Sequence, residues 1–145
     1  MRNLKAMKRI LTIVILTIFF LTSCNDDKNP TKQSNTDPTG TWKLTKLTIV
    51  SDQTVVLNEL MLAQLGAYWT LELKSDKTFI SNYNLDEPAT DTGTWNVSGE
   101  QLTTTFDSGG SETFDFFLDQ EVLTLEWTAI EEGVQEMLTG EFAKQ

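Results

Sequence analysis

From Gly40 to the C-terminus, apolar and polar residues alternate with a period of two, in short segments separated by turn-forming residues. Trp69, Leu71 and Leu73, for example, would share one face of an extended strand, with polar neighbours on the other face. The same pattern recurs in segments 79–83, 95–97, 102–106, 114–118 and 123–127. Such alternation is typical of half-buried antiparallel strands. The sequence therefore predicts an all-β domain over residues 40–145.

Clusters of Gly, Pro, Asp, Asn and Ser mark where the chain should turn. We expect turns at 75–77, 88–93, 98–100, 107–111, 119–121 and 131–133. The last of these would form a hairpin, which favours a strand over a helix for residues 134–142. The resulting count is eight strands in an antiparallel up-and-down order.

Two segments depart from simple alternation. Trp42 and Ile49 have opposite parities within the first strand, which predicts a bulge near residues 45–46. Residues 57–65 instead carry leucines and a methionine at helical spacing, with Asn58 as a cap and Gly66 as a stop. We therefore expect one short helix between the first two strands.

The N-terminal segment has the architecture of a bacterial export signal. Four basic residues precede an apolar run over residues 10–21, which is shorter than the roughly 20 residues a membrane-spanning helix needs. The following Leu21-Thr22-Ser23-Cys24 resembles the lipobox of bacterial lipoproteins. This resemblance implies that residues 1–23 are a signal peptide and that Cys24 carries fatty acyl chains such as palmitate, which anchor the protein to a membrane.

Residues 24–39 would then form the lipidated cysteine and a tether, because residues 25–39 offer no side chain able to anchor a core. Asp26 and Asp27 resemble the acidic export signals of Bacteroidetes-type lipoproteins. That resemblance implies attachment to the outer membrane of the cell envelope, exposed at the outer surface. Alternatively, these residues are ordinary polar linker residues.

Composition excludes several function classes once the signal peptide is removed. The remaining chain has 7 Lys against 21 Asp and Glu, a formal charge of −14, and contains no Arg or His. Nucleic acid is therefore not an expected partner. With Cys24 acylated, no thiol nucleophile, disulfide, or metal site built on sulfur or imidazole is available. An enzyme would need a carboxylate pair; we expect no enzyme, metal or cofactor.

The first strand begins with Gly40-Thr41-Trp42, which resembles the Gly-x-Trp motif of lipocalins. Together with the strand order, this motif makes residues 40–145 similar to the lipocalin-like domains of bacterial lipoproteins. The resemblance implies an up-and-down eight-stranded barrel in which Gly40 and Trp42 close one end. In lipocalins an arginine on the last strand stacks on this tryptophan, and here Lys144 is the available substitute. Gly93-Thr94-Trp95 repeats the motif.

A closed barrel of eight strands is wide enough to be filled by side chains or to hold one small ligand. One interpretation is an apolar cavity that binds a small hydrophobic molecule. Its candidate lining residues are Trp69, Leu71, Tyr83, Phe106, Phe114, Phe116 and Trp127. Inward hydroxyls at Ser81 and Thr104 favour a cavity. The alternative is a filled barrel that binds another protein or a polysaccharide through outward residues such as Ile80, Phe117 and Val122.

Overall fold

The computed structural model describes residues 37–85, 87–131 and 133–145, in which there are nine strands and one helix. The strands are β1 (Gly40–Val50), β2 (Thr54–Asn58), β3 (Tyr68–Leu73), β4 (Thr78–Asn84), β5 (Pro88–Ser98), β6 (Gln101–Phe106), β7 (Ser111–Asp119), β8 (Val122–Glu131) and β9 (Val134–Lys144). The helix α1 spans Glu59–Gln64. The predicted signal peptide, Cys24 and residues 25–36 of the predicted tether lie outside the described residues.

The sheet closes into an antiparallel barrel. Consecutive strands from β3 to β9 pair with one another, and β1 pairs with both β3 and β9. Eight strands therefore complete the ring, as the sequence predicts. The short β2 pairs with the second half of β1, beside the part that pairs with β3. The predicted helix follows this extra strand and so lies between β2 and β3.

Local signals determine the two irregular segments. The register of β1 against β9 shifts between Leu44 and Lys46, which confirms the predicted bulge. Asn58 caps α1 by accepting a hydrogen bond from the Met61 amide at 3.0 Å. Just beyond α1, Gly66 adopts a positive φ of 67°, a conformation that glycine reaches without a side-chain clash.

The turn predicted at residues 88–93 is wrong, because this segment forms the first half of β5. Pro88 occupies the first position of the strand, where its missing amide hydrogen is tolerated. Gly93 also lies within the strand, and this position requires glycine because an added Cβ would come 2.0 Å from the Thr105 carbonyl oxygen. Proline and glycine here reflect strand position and close packing rather than a change of direction.

The core fills the end of the barrel that contains Trp42 and Trp95, called here the tryptophan end. Both side chains are almost completely buried. The indole of Trp42 donates a hydrogen bond to the Pro38 carbonyl at 2.7 Å, and that of Trp95 donates to the Lys74 carbonyl at 3.0 Å.

A lysine ammonium lies over each ring. Lys144 Nζ is 5.5 Å from the centroid of Trp42, and Lys77 Nζ is 3.7 Å from that of Trp95. The two Gly-Thr-Trp segments thus close one end of the barrel in the same way, and Lys144 stands over Trp42 where lipocalins have an arginine.

Candidate functional site

The opposite end of the barrel, called here the polar end, contains polar groups on inward-facing positions. Strand pairing locates this end. Leu73 pairs with Gly40 and with Phe79, near the start of β1 where Trp42 lies. Trp69, four residues before Leu73, pairs with Tyr83, four residues after Phe79. Tyr83 shares its face of β4 with the buried Phe79. Side chains on this face beyond the core are the candidates for contacting a ligand.

Five aromatic side chains from different strands meet inside the barrel, and we call them the aromatic cluster: Trp69, Tyr83, Phe114, Trp127 and Phe142. The Trp69 ring lies 5.6 Å from Trp127 and 5.2 Å from Phe142, centroid to centroid, in edge-to-face geometry. Trp69 and Trp127 are only partly buried, although both pack on the core. Both occupy inward-facing positions of their strands, so the aromatic cluster includes apolar surface inside the barrel that the core leaves partly uncovered.

The structure brings together four of the seven predicted lining residues, because Trp69, Tyr83, Phe114 and Trp127 all belong to the aromatic cluster. The other three lie in or against the core. Leu71 and Phe116 are buried, while Phe106 packs edge-to-face on Phe79 at 5.8 Å. That these seven residues contact a ligand stays a prediction.

Two inward-facing polar groups on β4 are already hydrogen-bonded. The Ser81 hydroxyl, 5% exposed, accepts a bond from the Trp69 indole at 2.8 Å. The Tyr83 hydroxyl donates to the Asp91 carboxylate at 2.9 Å. Desolvation and this hydrogen bond raise the pKa of Tyr83 to about 12, since both disfavour the phenolate. Asp91 itself lies on the inward face of β5, in register with Ser81.

Glu112 and Thr104 form a second polar pair, on neighbouring strands in direct register. Glu112 is exposed at the start of β7, on the face that further along carries Phe114 and Phe116. The surrounding wall removes water from its carboxyl group and Asp91 adds a nearby negative charge, so the pKa of Glu112 is raised. Thr104 is 4% exposed, and its hydroxyl has no hydrogen-bond partner in the described structure.

A third carboxylate, Glu136, lies on the inward face of β9, opposite Ala129 of β8. Glu136 is 6% exposed. We call Asp91, Glu112 and Glu136 the inward carboxylates. Within residues 37–85, 87–131 and 133–145, no three acidic, histidine or cysteine side chains converge closely enough to hold a metal ion. The inward carboxylates are therefore spread around the wall rather than gathered at one point.

The described lysines do not neutralise these carboxylates. Lys77 and Lys144 stand over the tryptophans of the other end. Lys43 and Lys46 pair with Glu59 and Glu141, each at 2.7 Å. The resulting field is negative at the polar end and partly balanced at the tryptophan end, which favours a positively charged group at the polar end.

The inward carboxylates are absent from the residues predicted for the site, although their parity could have revealed them. Asp91 lies two residues before Gly93, Glu112 two before Phe114, and Glu136 two before Leu138. A strand places residues i and i+2 on one face. Extending the apolar alternation backwards by one step would have placed all three inside the barrel.

The residues proposed for the alternative, a surface contact, differ in exposure. Val122 is 41% exposed, whereas Ile80 and Phe117 are half-buried. Among the described residues, no helix is sufficiently long and apolar to cross a membrane.

A family model described as a lipocalin-like domain matches residues 39–125. Among solved structures, an uncharacterized protein from Bacteroides eggerthii DSM 20697 matches with 12% sequence identity and a TM-score of 0.48, covering 75% of this chain and 100% of that chain. No curated protein sequence matches the chain.

Proposed function

The chain belongs to the lipocalin-like domain family, and on this basis we propose that its barrel binds a small hydrophobic molecule at the polar end. The observation that carries this proposal is the pair of partly buried tryptophans, Trp69 and Trp127, inside a closed barrel. Trp42 and Trp95, by contrast, are almost completely covered by the core at the other end of the barrel. A ligand that lies on them would bury this remaining surface, at roughly 25 cal/mol per Å².

Tryptophan fluorescence tests this proposal, because the four tryptophans divide between the two ends. A neutral brominated alcohol, such as 4-bromophenethyl alcohol or 11-bromo-1-undecanol, quenches nearby indoles through its heavy atom. We expect saturable quenching in the full chain, in neutral detergent micelles. In the Trp69→Phe/Trp127→Phe variant, the fluorescence that remains comes from Trp42 and Trp95 and should not show this quenching. Only linear quenching, with no saturation by either probe, would refute binding in the barrel.

We further propose that the domain works at a cell envelope, anchored by acyl chains on Cys24 to the outer membrane and exposed at its outer surface. The sequence pattern of residues 1–24 supports this proposal, and a hydrophilic segment of residues 25–36 would hold the barrel clear of the lipid headgroups. Metabolic labelling with an alkyne analogue of palmitate should mark the native chain and not a Cys24→Ser variant. Equal labelling of both chains would contradict the anchor.

A second candidate function, contact with another envelope protein, rests on a patch of exposed apolar side chains on the outer surface. Val50 and Met137 face each other across β1 and β9, and are 40% and 55% exposed. Ile130, 69% exposed, lies diagonally from Met137 on β8. Polar replacement of Met137 and Ile130 by serine should abolish capture of a partner from native envelopes. Undiminished capture would exclude this patch.

A further inference from the structure

The wall above the aromatic cluster contains a consistent set of hydrogen-bond acceptors. Asp91 and Glu112 face inward, and Asp91 is near enough to Glu112 to disfavour its ionisation. Glu136 adds a third inward carboxylate on β9. Among the described lysines, Lys144 shares the inward-facing parity of β9, but it lies over Trp42 at the tryptophan end rather than near the inward carboxylates. The acceptors therefore have no cationic partner from these residues.

The Thr104 hydroxyl is an independent sign of a missing partner. It is 96% shielded from solvent, lies on the inward face of β6 between Leu102 and Phe106, and bonds to no described residue. A buried hydroxyl without a partner is unfavourable unless something else satisfies it. Because Thr104 stands in register with Glu112, one ligand group could contact both side chains.

We propose that the ligand is an amphiphile with a protonated amine, whose apolar body lies on Trp69 and Trp127 and whose ammonium group binds among Thr104, Asp91 and Glu112. An ammonium group supplies the donors that carboxylate and hydroxyl oxygens accept. The neighbouring indole rings also attract cations through their faces. A ligand with a carboxylate head would meet like charge, so a fatty acid is disfavoured.

This inference rests on the proposed function, and one experiment separates the two. The full chain in neutral micelles is titrated with 4-bromophenethylamine, 4-bromophenethyl alcohol and 4-bromophenylacetate, which differ in head-group charge. We expect the amine to bind at least about 10-fold more tightly than the alcohol, because hydrogen bonds to charged groups are roughly twice as strong as neutral ones. The acetate should bind most weakly.

Two variants test which carboxylate causes the preference for the amine over the alcohol. Glu112→Gln removes one inward charge at an exposed position, so the variant should fold, and the preference for the amine should fall at least about 3-fold. Glu126→Gln removes the same charge from the outward face of β8 and should leave the preference unchanged.

Each outcome is decisive. Equal binding of amine and alcohol, or an unchanged preference in Glu112→Gln, overturns the inference while the proposed function stands. If none of the three probes nor the undecanol gives saturable quenching, the proposed function fails and the inference fails with it.

Discussion

Replacing Thr104 with valine should stabilise the fold. The side chain is 4% exposed, and its hydroxyl lacks a hydrogen-bond partner among the residues described. Valine has nearly the same shape and replaces the hydroxyl with a methyl group. An unsatisfied buried hydroxyl costs about 1 to 3 kcal/mol, so we expect the free energy of unfolding to rise by about 1 to 2 kcal/mol. In a domain of about 100 residues, that corresponds to an increase of roughly 5 to 10 °C in Tm.

Urea denaturation of Thr104→Val measures the effect, with an unchanged m-value as evidence that only stability has changed. Thr105→Val is the matched control, since Thr105 is exposed on the outward face of the same strand and should shift stability by less than about 0.5 kcal/mol. A Thr104→Val variant that is less stable than the parent would refute the reasoning, because it would mean that the hydroxyl makes a favourable interaction. The same variant should bind the amine probe more weakly despite its greater stability.

Three further predictions concern the packing and electrostatics of the barrel. Gly93→Ala should destabilise the fold by more than about 2 kcal/mol, because its Cβ would meet the Thr105 carbonyl oxygen at 2.0 Å. Gly140→Ala, whose Cβ meets the Phe142 side chain at 2.7 Å rather than a backbone atom, should cost less, and the reverse order in urea denaturation would contradict this account. In a Tyr68→Phe background, the absorbance of tyrosinate should report ionisation of Tyr83 at about pH 12, and Asp91→Asn should lower that midpoint; an unchanged midpoint would remove Asp91 as a cause. Because the folded pKa of Tyr83 lies above its ordinary value of 10, its contribution to stability should be lost as pH rises from 10 to about 12. Desolvation and the nearby Asp91 raise the pKa of Glu112 above its ordinary value of 4.5. The other inward titratable groups are Tyr83 and Glu136. Folding should therefore become less favourable as pH rises from 4.5 through the folded pKa of Glu112. Glu112→Gln should flatten that part of the stability profile, and an identical profile would show that Glu112 does not cause it.

Alternation was sufficient to predict the barrel because each strand buries one face, and a shift of one residue would expose the whole apolar set. The bulge in β1 and the cap at Asn58 could also be predicted, because each depends on the spacing and type of residues close together in the sequence. The first half of β5 was not predicted, since proline and glycine, here Pro88 and Gly93, are residue types typical of turns. That Gly93 lies against the Thr105 carbonyl depends on a strand pairing that only the fold supplies.

The candidate site was only partly predictable. Aromatic residues such as Trp69 and Trp127 stood out by type and parity, and the structure brings them together. The inward carboxylates were missed because acidic residues in an acidic chain are most often solvated. Parity shows which face a residue takes, but its depth in the barrel depends on the stagger of eight strands. Nothing in the local sequence reveals that Glu112 stands beside the unpaired Thr104.

The division of the barrel into two ends explains how polar groups can be tolerated inside it. Trp42, Trp95 and the leucines around them bury the large apolar area that stabilises the fold, and Lys77 and Lys144 cover the two tryptophan rings. The polar groups contribute less to stability, because Glu112 at the polar end and Thr104, which is in register with Glu112 on one side and with Trp95 on the other, are each held in unfavourable states. A bound cation would relieve both, since it offers Thr104 a donor and Glu112 an opposite charge. Groups that weaken the empty barrel are thus the same groups that would strengthen a complex with an amine.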